Sequence, residues 1–267
     1  MSDLLAFEAD SFPGLELLST NAKNCELTKA DALDEFKRLR LEISRLQRVL
    51  YAENQQSLLV VFQAMDAGGK DGTIRNVFQG VNPQGVHVAS FKRPTELELE
   101  HDFLWRIHSH TPAKGMISVF NRSHYEDVLV PLVESLTTRE VIEARYEHIR
   151  SFERMLMGHG TKVVKFFLNI SNAEQKRRLN ERLTNPDKRW KFEPQDLEKR
   201  ADWKQYMSAF AVMFEETSTP EAPWQIIPSD DKWYRNLLVA RIIFNTLELM
   251  SPEYPKPKYD LSNIVIE

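Results

Sequence analysis

The stretch from Ser57 to Ile74, SLLVVFQAMDAGGKDGTI, passes from an apolar, β-prone run (Leu58–Phe62) through a loop of small residues to a lysine and a helical pattern. This is the layout of a phosphate-binding loop. The strand delivers the chain, glycines let backbone N–H groups face an anion, and the lysine meets the phosphate charge where a helix begins. The match to G-x-x-x-x-G-K-[ST] is partial. Ala64 stands at the first glycine position, Gly69 and Lys70 fit, and Asp71 replaces the Ser/Thr that ordinarily helps to hold magnesium. Asp66 puts a second carboxylate inside the loop. Taken alone, the loop is also open to a plainer reading, a glycine-rich turn that carries a lysine.

Outward from this loop the pattern alternates. Before it, Leu33, Phe36, Leu39, Ile43, Leu46 and Leu50 recur three or four apart and predict a helix over 30–53. After it, strands are predicted at Val86–Phe91, Gly115–Phe120, Val163–Ile170 and Trp224–Pro228. Helices are predicted to about Gly80, then at Glu96–His110, Arg122–Leu136, Arg139–Gly158, 172–185, Gln195–Thr217 and 231–250. In the last, Trp233, Leu237, Ala240, Phe244 and Leu247 form a stripe fit to pack on a sheet. Strands alternating with helices make an α/β fold with a parallel five-stranded sheet covered on both faces. Residues 1–29 read as an N-terminal arm, 30–250 as the core with a lid at about 172–217, and 251–267, with Pro252, Pro255 and Pro257, as an extended tail.

Ligands of such sheets gather at the carboxyl ends of the strands. Asp66–Lys70, Lys92-Arg93 and Asn121-Arg122 each follow a predicted strand, so these polar residues converge on one rim. Lys70 is the strongest phosphate ligand, with Ala67, Gly68, Gly69 and Gly72 supplying loop backbone. Carboxylates beside a phosphate repel it unless a divalent ion bridges them, which gives Asp66 and Asp71 a metal role. An acid complementing a helix N-terminus is the alternative for Asp71. Arg122 offers a planar fork for a phosphate. Asn121 stands where a strand-end acid would organise metal, with Glu126 one helical turn on. Tyr125 is read as a stacking or hydrogen-bonding group for a nucleotide, or as packing on the sheet.

Composition is that of an ordinary soluble globular chain, 42% hydrophobic and 28% charged. No run is long enough to span a bilayer, the acidic N-terminus is unlike a signal peptide, and Cys25 is the only cysteine; a cytoplasmic location is expected. The net charge of −4 argues against general nucleic-acid binding. Between Lys176 and Lys191, however, seven bases face two acids. That local excess favours an arginine-lined lid (Arg178, Arg182, Lys188, Lys191) closing on an anionic ligand over a merely solvated face. His108 and His110 lack a third ligand and read as bland helical residues. Trp105, Trp190 and Trp224 read as packing.

The segments QAMDAGGKDGTI, FKRPTELELEHDFLWRIHSHTPAKG, FNRSHYEDVLV and WKFEPQDLEKRADW together resemble the type-2 polyphosphate kinases, in the family's order and spacing from about Ala30 to Met250. The resemblance implies a thymidylate-kinase-like P-loop fold with a helical lid. It implies transfer of a phosphate from inorganic polyphosphate to a nucleoside mono- or diphosphate (AMP or ADP to ADP or ATP), or the reverse, with magnesium or, as a substitute, manganese. It carries Asp66, Gly69, Lys70 and Asp71 onto the family's Walker A loop, Arg122 onto its second motif, and Arg178, Arg182, Lys188 and Lys191 onto its lid. Asn121 departs from the aspartate common there. FNRSHYED with Glu126 is similar to the subgroup called class III, which takes both mono- and diphosphates. Family habit implies a homodimer or homotetramer. Two rivals stand: an ATP-dependent kinase of the same fold, against which the missing Ser/Thr weighs, and a phosphate- or nucleotide-binding module without turnover.

Overall fold

Every residue of strand β2 (Ser57–Gln63) is buried, as expected of the central strand of a sheet covered on both faces. The computed structural model describes residues 6–7, 12–23, 25–260 and 266. Strands β6 (Trp224–Pro228), β5 (Thr161–Asn169), β2, β4 (Ile117–Asn121) and β3 (Val86–Ser90) lie side by side in that order. All four pairings among them are parallel. The predicted five-stranded parallel sheet is therefore present. A short strand β1 (Ala6–Phe7), which the sequence did not indicate, adds antiparallel to β6. The arm reading of residues 1–29 falls in part on residues 1–5, 8–11 and 24, outside the described residues. The end of the tail, 261–265 and 267, is outside them too.

Alternation along β2 sorts the core into two layers. Leu59 and Val61 face α5 (Glu126–Val133), α6 (Arg139–Gly158) and α9 (Trp203–Thr217), among Phe120, Phe167, Phe214 and Trp224. Leu58, Val60 and Phe62 face α1 (Lys29–Glu53), α2 (Lys70–Val77) and α10 (Lys232–Met250), among Ile43, Leu50, Leu237 and Ile243. Phe62 stacks on Phe166 of β5 at 5.1 Å between ring centroids. Thr28 caps α1 by accepting the Asp31 N–H, and Arg241 of α10 clasps Glu35 of α1 through two bonds of 2.7 and 2.6 Å. No helix among the described residues is long and apolar enough to cross a membrane.

Three predicted helices are interrupted. Glu96–His110 becomes two short helices, α3 (Glu96–Leu99) and α4 (Trp105–His108). A Thr95–Glu98 capping box starts the first, and Asp102 then turns the chain by accepting the Leu104 N–H at 2.9 Å. α5 begins only at Glu126, because Arg122 adopts a left-handed φ of 62°. The helix predicted from Gln195 to Thr217 breaks at Asp202 into α8 (Gln195–Ala201) and α9. α7 (Asn172–Thr184) and the short 3-10 helix Pro186–Lys191 complete the segment above the sheet rim. The last helix also differs from a one-sided stripe. It is wedged between α1 and the sheet, so its buried residues run around it and include Arg235.

Chain order places the site. The chain leaves β2 for the outer strand β3, returns to β4 beside β2, and crosses to β5 on the other flank. The direction of winding thus reverses at β2, whose carboxyl end carries the glycine-rich loop; in open α/β sheets ligands bind at this point.

Candidate active site

The loop from Ala64 to Gly69 turns the chain from β2 into α2. Gly69 has a φ of 111°, a conformation that costs a glycine little and other residues much. A Cβ on Gly68 would lie 2.6 Å from Ala64 Cβ and 2.7 Å from the Met65 carbonyl oxygen. Small residues are therefore required at both places. Lys70, the first residue of α2, folds back and donates to the Ala64 carbonyl at 2.9 Å. Burial pushes its ammonium down to about 8, with Arg122 adding to the push and Asp66 opposing it.

The carboxylates of the loop are gripped by cations from separate elements. Arg122, in the β4–α5 turn, lies 2.5 Å from Asp66 and 3.9 Å from Glu126. Lys199 of α8 stands 3.7 Å from Asp66 on its other oxygen. Burial alone would raise the Asp66 carboxyl, but Arg122, Lys70, Lys199 and Arg182 outweigh it and hold it below its ordinary value. Glu126, with help from Asp66, raises Arg122 above its own ordinary value against the effect of burial. Glu126 also accepts from Gln63 at 3.2 Å.

Asn121 ends β4 and donates to Asp71 at 2.8 Å, while Lys191 lies 3.4 Å from the other Asp71 oxygen. Burial opposes the ionised form of Asp71, but these two partners outweigh it and its carboxyl titrates low. The amide that stands where an acid was expected thus orients an acid on the neighbouring loop.

The basic segment divides into distinct roles. Lys191 reaches the site. Arg182 is bound to Asp196 at 2.7 Å and to the Lys191 carbonyl at 3.2 Å, and Lys188 pairs with Glu181, so both brace this segment internally. Arg178 is buried, and all its N–H groups have acceptors. Nε donates to Glu174 at 2.7 Å, Nη1 to the Ala67 and Gly68 carbonyls at 3.0 and 3.1 Å, and Nη2 to the Ser229 and Asp230 carbonyls at 2.5 and 3.0 Å. It is aimed at loop carbonyls and offers no free donor to a phosphate, which corrects its placement among direct phosphate ligands. Gln175 adds a bond to the Asp66 carbonyl at 3.0 Å, and Ser229 one to Gly68 at 2.7 Å.

One further expectation is not met by the geometry. Tyr125 is fully buried. Its hydroxyl donates to Glu153 at 2.8 Å, beside Lys165, which bonds the same carboxylate at 2.8 Å. Burial, then Glu153, pushes its phenol well up. It belongs to a core ion-pair network and cannot reach a nucleotide. Lys92 and Arg93 follow β3, which is separated from β2 by β4; at about 4.8 Å per strand their backbone stands roughly 10 Å from the loop strand, further from it than Arg122. The residues at the loop that sequence reasoning missed are Lys199, Gln175 and Ser229. Lys199 lies in WKFEPQDLEKRADW, but no charge pattern sets it apart there.

A small crevice beside the loop is lined by the charged groups of Asp66, Arg122, Glu126 and Lys199 together with Leu129, Val130, Tyr206 and Phe210. The site thus joins a glycine-rich loop, two lysines (Lys191 and Lys199) from the segment above the sheet rim, and a half-apolar crevice beside Arg122.

Comparison with known proteins gives a consistent result. Residues 26–255 match the family model of polyphosphate kinase 2. An AMP/ADP-polyphosphate phosphotransferase of Meiothermus ruber is 55% identical over 239 residues, covering 90% of both chains. An ADP-polyphosphate phosphotransferase of Rhodopseudomonas palustris is 43% identical over 249 residues, covering 86% of both. The crystal structure of polyphosphate kinase 2 from Arthrobacter aurescens TC1 superimposes with a TM-score of 0.92 at 39% identity, covering 96% of this chain and 92% of that one.

Proposed function

The chain belongs to the polyphosphate kinase 2 family, and we propose that its P-loop holds the donor phosphate while the Arg122–Glu126 crevice receives the acceptor. It is a polyphosphate-dependent nucleotide kinase, moving a phosphoryl group between inorganic polyphosphate and AMP or ADP. The observation that carries the site reading is the convergence of Arg122, Lys191 and Lys199, from different elements, on Asp66 and Asp71, with Lys70 folded back on the loop at the Ala64 carbonyl.

The chemistry asks little of the protein beyond position and charge. An oxygen of the acceptor's terminal phosphate forms a bond to the end phosphorus of polyphosphate. The bond from that phosphorus to the next bridging oxygen breaks, and the chain leaves one unit shorter. The attacking oxygen is already anionic, so no side chain has to remove a proton. Lys70 and the loop amides hold the transferred group. Arg122 stands between loop and crevice, where it can touch both phosphates as charge spreads in the transition state. Lys191 and Lys199 exchange carboxylate for phosphate oxygens as the substrate enters.

Among the described residues no three His, Cys, Asp or Glu side chains are grouped to hold an ion by themselves. Magnesium does not need such a cage, since it binds through one or two carboxylates, water and substrate phosphates. Asp66, Asp71 and Glu126 supply hard oxygen donors at the cradle and fit that habit. With magnesium bound, phosphate charge would be neutralised and the reacting groups drawn together.

We read the acceptor range as both AMP and ADP. Nucleotide chromatography after incubation with polyphosphate and each acceptor tests it. ATP from ADP together with ADP from AMP supports the reading; product from one acceptor alone restricts the range to that one.

A further inference from the structure

Arg235, in the second turn of α10, is 2% exposed. Its Nε and Nη2 share the Asn236 side-chain oxygen at 3.2 and 3.1 Å. Nη1 is buried and has no hydrogen-bond partner among the described residues, and no carboxylate among them forms an ion pair with Arg235. A buried guanidinium in that state is costly, and buried charges are ordinarily paired.

Its surroundings make the case sharper. A Cβ built on Gly69 would lie 2.0 Å from Nη1 and 2.9 Å from Cζ, and one on Gly72 would lie 3.7 Å from Nη2. The guanidinium therefore rests against the backbone of the phosphate loop and the first turn of α2. The charged neighbour that acts on it is Arg178, another cation; burial first and Arg178 second push Arg235 down to about 9. Lys232, one turn earlier on α10, is likewise lowered by burial and by Arg178. Arg178 has spent its donors on the Glu174 carboxylate and on four carbonyls, as described above. Two guanidiniums side by side, one of them with an N–H that no acceptor meets and no carboxylate of its own among the described residues, make this flank of the loop suited to an anion.

The flank is also distinct from the acceptor side. α10 belongs to the helical layer of α1 and α2, next to β5 and β6, whereas Arg122 rises from β4 on the other side of β2. A phosphate chain whose end lies between Lys70 and Arg122 has its remaining units free to run towards α10.

We propose that Arg235 is a binding residue for the donor, its Nη1 donating to a phosphate unit of the polyphosphate chain that is held by the loop but not transferred. The proposal rests on the site reading above and adds a contact from the C-terminal helix to it. Gly69 then has two duties, turning the loop and leaving room for the guanidinium.

The test uses Arg235→Met and Arg235→Lys in the full-length protein, with melting temperature in the absence of ligand, steady-state kinetics, and calorimetric titration with tripolyphosphate. A lost charge-assisted hydrogen bond to a non-reacting unit raises the polyphosphate KM of Arg235→Met about ten- to hundredfold, with kcat and the ADP KM changing far less. Tripolyphosphate affinity falls in parallel, and Arg235→Lys recovers part of both. Ligand-free Arg235→Met melts no lower than the wild type, because it removes an uncompensated buried charge. An unchanged polyphosphate KM in Arg235→Met overturns the proposal. So does an Arg235→Met that unfolds, melts well below the wild type, or raises both KM values together, since these mark a structural strut. A wild type that binds tripolyphosphate but transfers nothing from polyphosphate would refute the functional reading instead, and leave the titration to decide on Arg235.

Discussion

Arg122 Nη2 lies 2.5 Å from Asp66 Oδ1, so the arginine of the β4–α5 turn is docked on a carboxylate of the phosphate loop itself. Arg122 holds a left-handed φ of 62° to do so, and its N–H is anchored to the Phe62 carbonyl at 3.0 Å. Non-glycine residues in this region carry strain that persists only where the surrounding structure enforces it. The pair links the glycine-rich loop to the neighbouring crevice through one side chain.

If that coupling is the working centre, Asp66→Asn and Lys70→Ala should each lower kcat by at least about a hundredfold. Both variants should keep the circular-dichroism spectrum of the wild type. Turnover near the wild-type rate in either folded variant would remove these residues from the reaction.

The lysine also fixes a pH dependence. Burial, then Arg122, lowers the Lys70 pKa to about 8 in the free enzyme, so the ammonium is charged below that pH and neutral above it. The kcat/KM for polyphosphate, which reports the free enzyme, should therefore fall as pH rises through about 8. A profile flat to pH 9.5 would show that the charge of Lys70 is not needed for capture.

Arg178 should behave as a strut. Its removal takes a donor from the Ala67, Ser229 and Asp230 carbonyls and leaves Gly68 with the Ser229 hydroxyl alone, in a buried place. Arg178→Ala is expected to cost about 2–4 kcal/mol of stability, or roughly 5–10 °C in melting temperature, besides its effect on turnover. A variant that melts like the wild type and loses only polyphosphate affinity would make Arg178 a ligand after all.

Tyr125 gives the opposite pattern. Tyr125→Phe deletes two bonds in the core, one to Glu153 and one from Lys165, and should cost about 1–2 kcal/mol while leaving the KM for AMP and ADP as it was. A several-fold rise in nucleotide KM at unchanged stability would return Tyr125 to the site.

The sequence was informative where local spacing decides the outcome. Continuous apolar runs identified the buried parallel strands, and the small residues before Lys70 marked the turn that faces the anion. Asp66, Lys70 and Arg122 are each placed by the end of a strand, so reading the strands was enough to bring them to one rim. Side-chain partners were not legible in this way. Arg178 and Lys191 sit in one basic run, yet one turns to carbonyls and the other to Asp71, 120 positions away. Only the packing of α7 on the loop separates them. Tyr125 follows a strand end just as Arg122 does, but the chain turns at Arg122 and drives the next ring into the core. Arg235 was hidden for a related reason: it interrupts an apolar helix, and its meaning appears only when Gly69 is seen beneath it.

The central claim is that the donor is inorganic polyphosphate. The most direct measurement is the amount of ATP formed from ADP and magnesium with polyphosphate as the sole donor, set against a control in which AMP is offered with ATP and no polyphosphate. The account predicts ATP appearing in step with the loss of phosphate units from the chain. No ATP from polyphosphate, with ADP formed freely in the control, would contradict it and make the protein an ATP-dependent kinase.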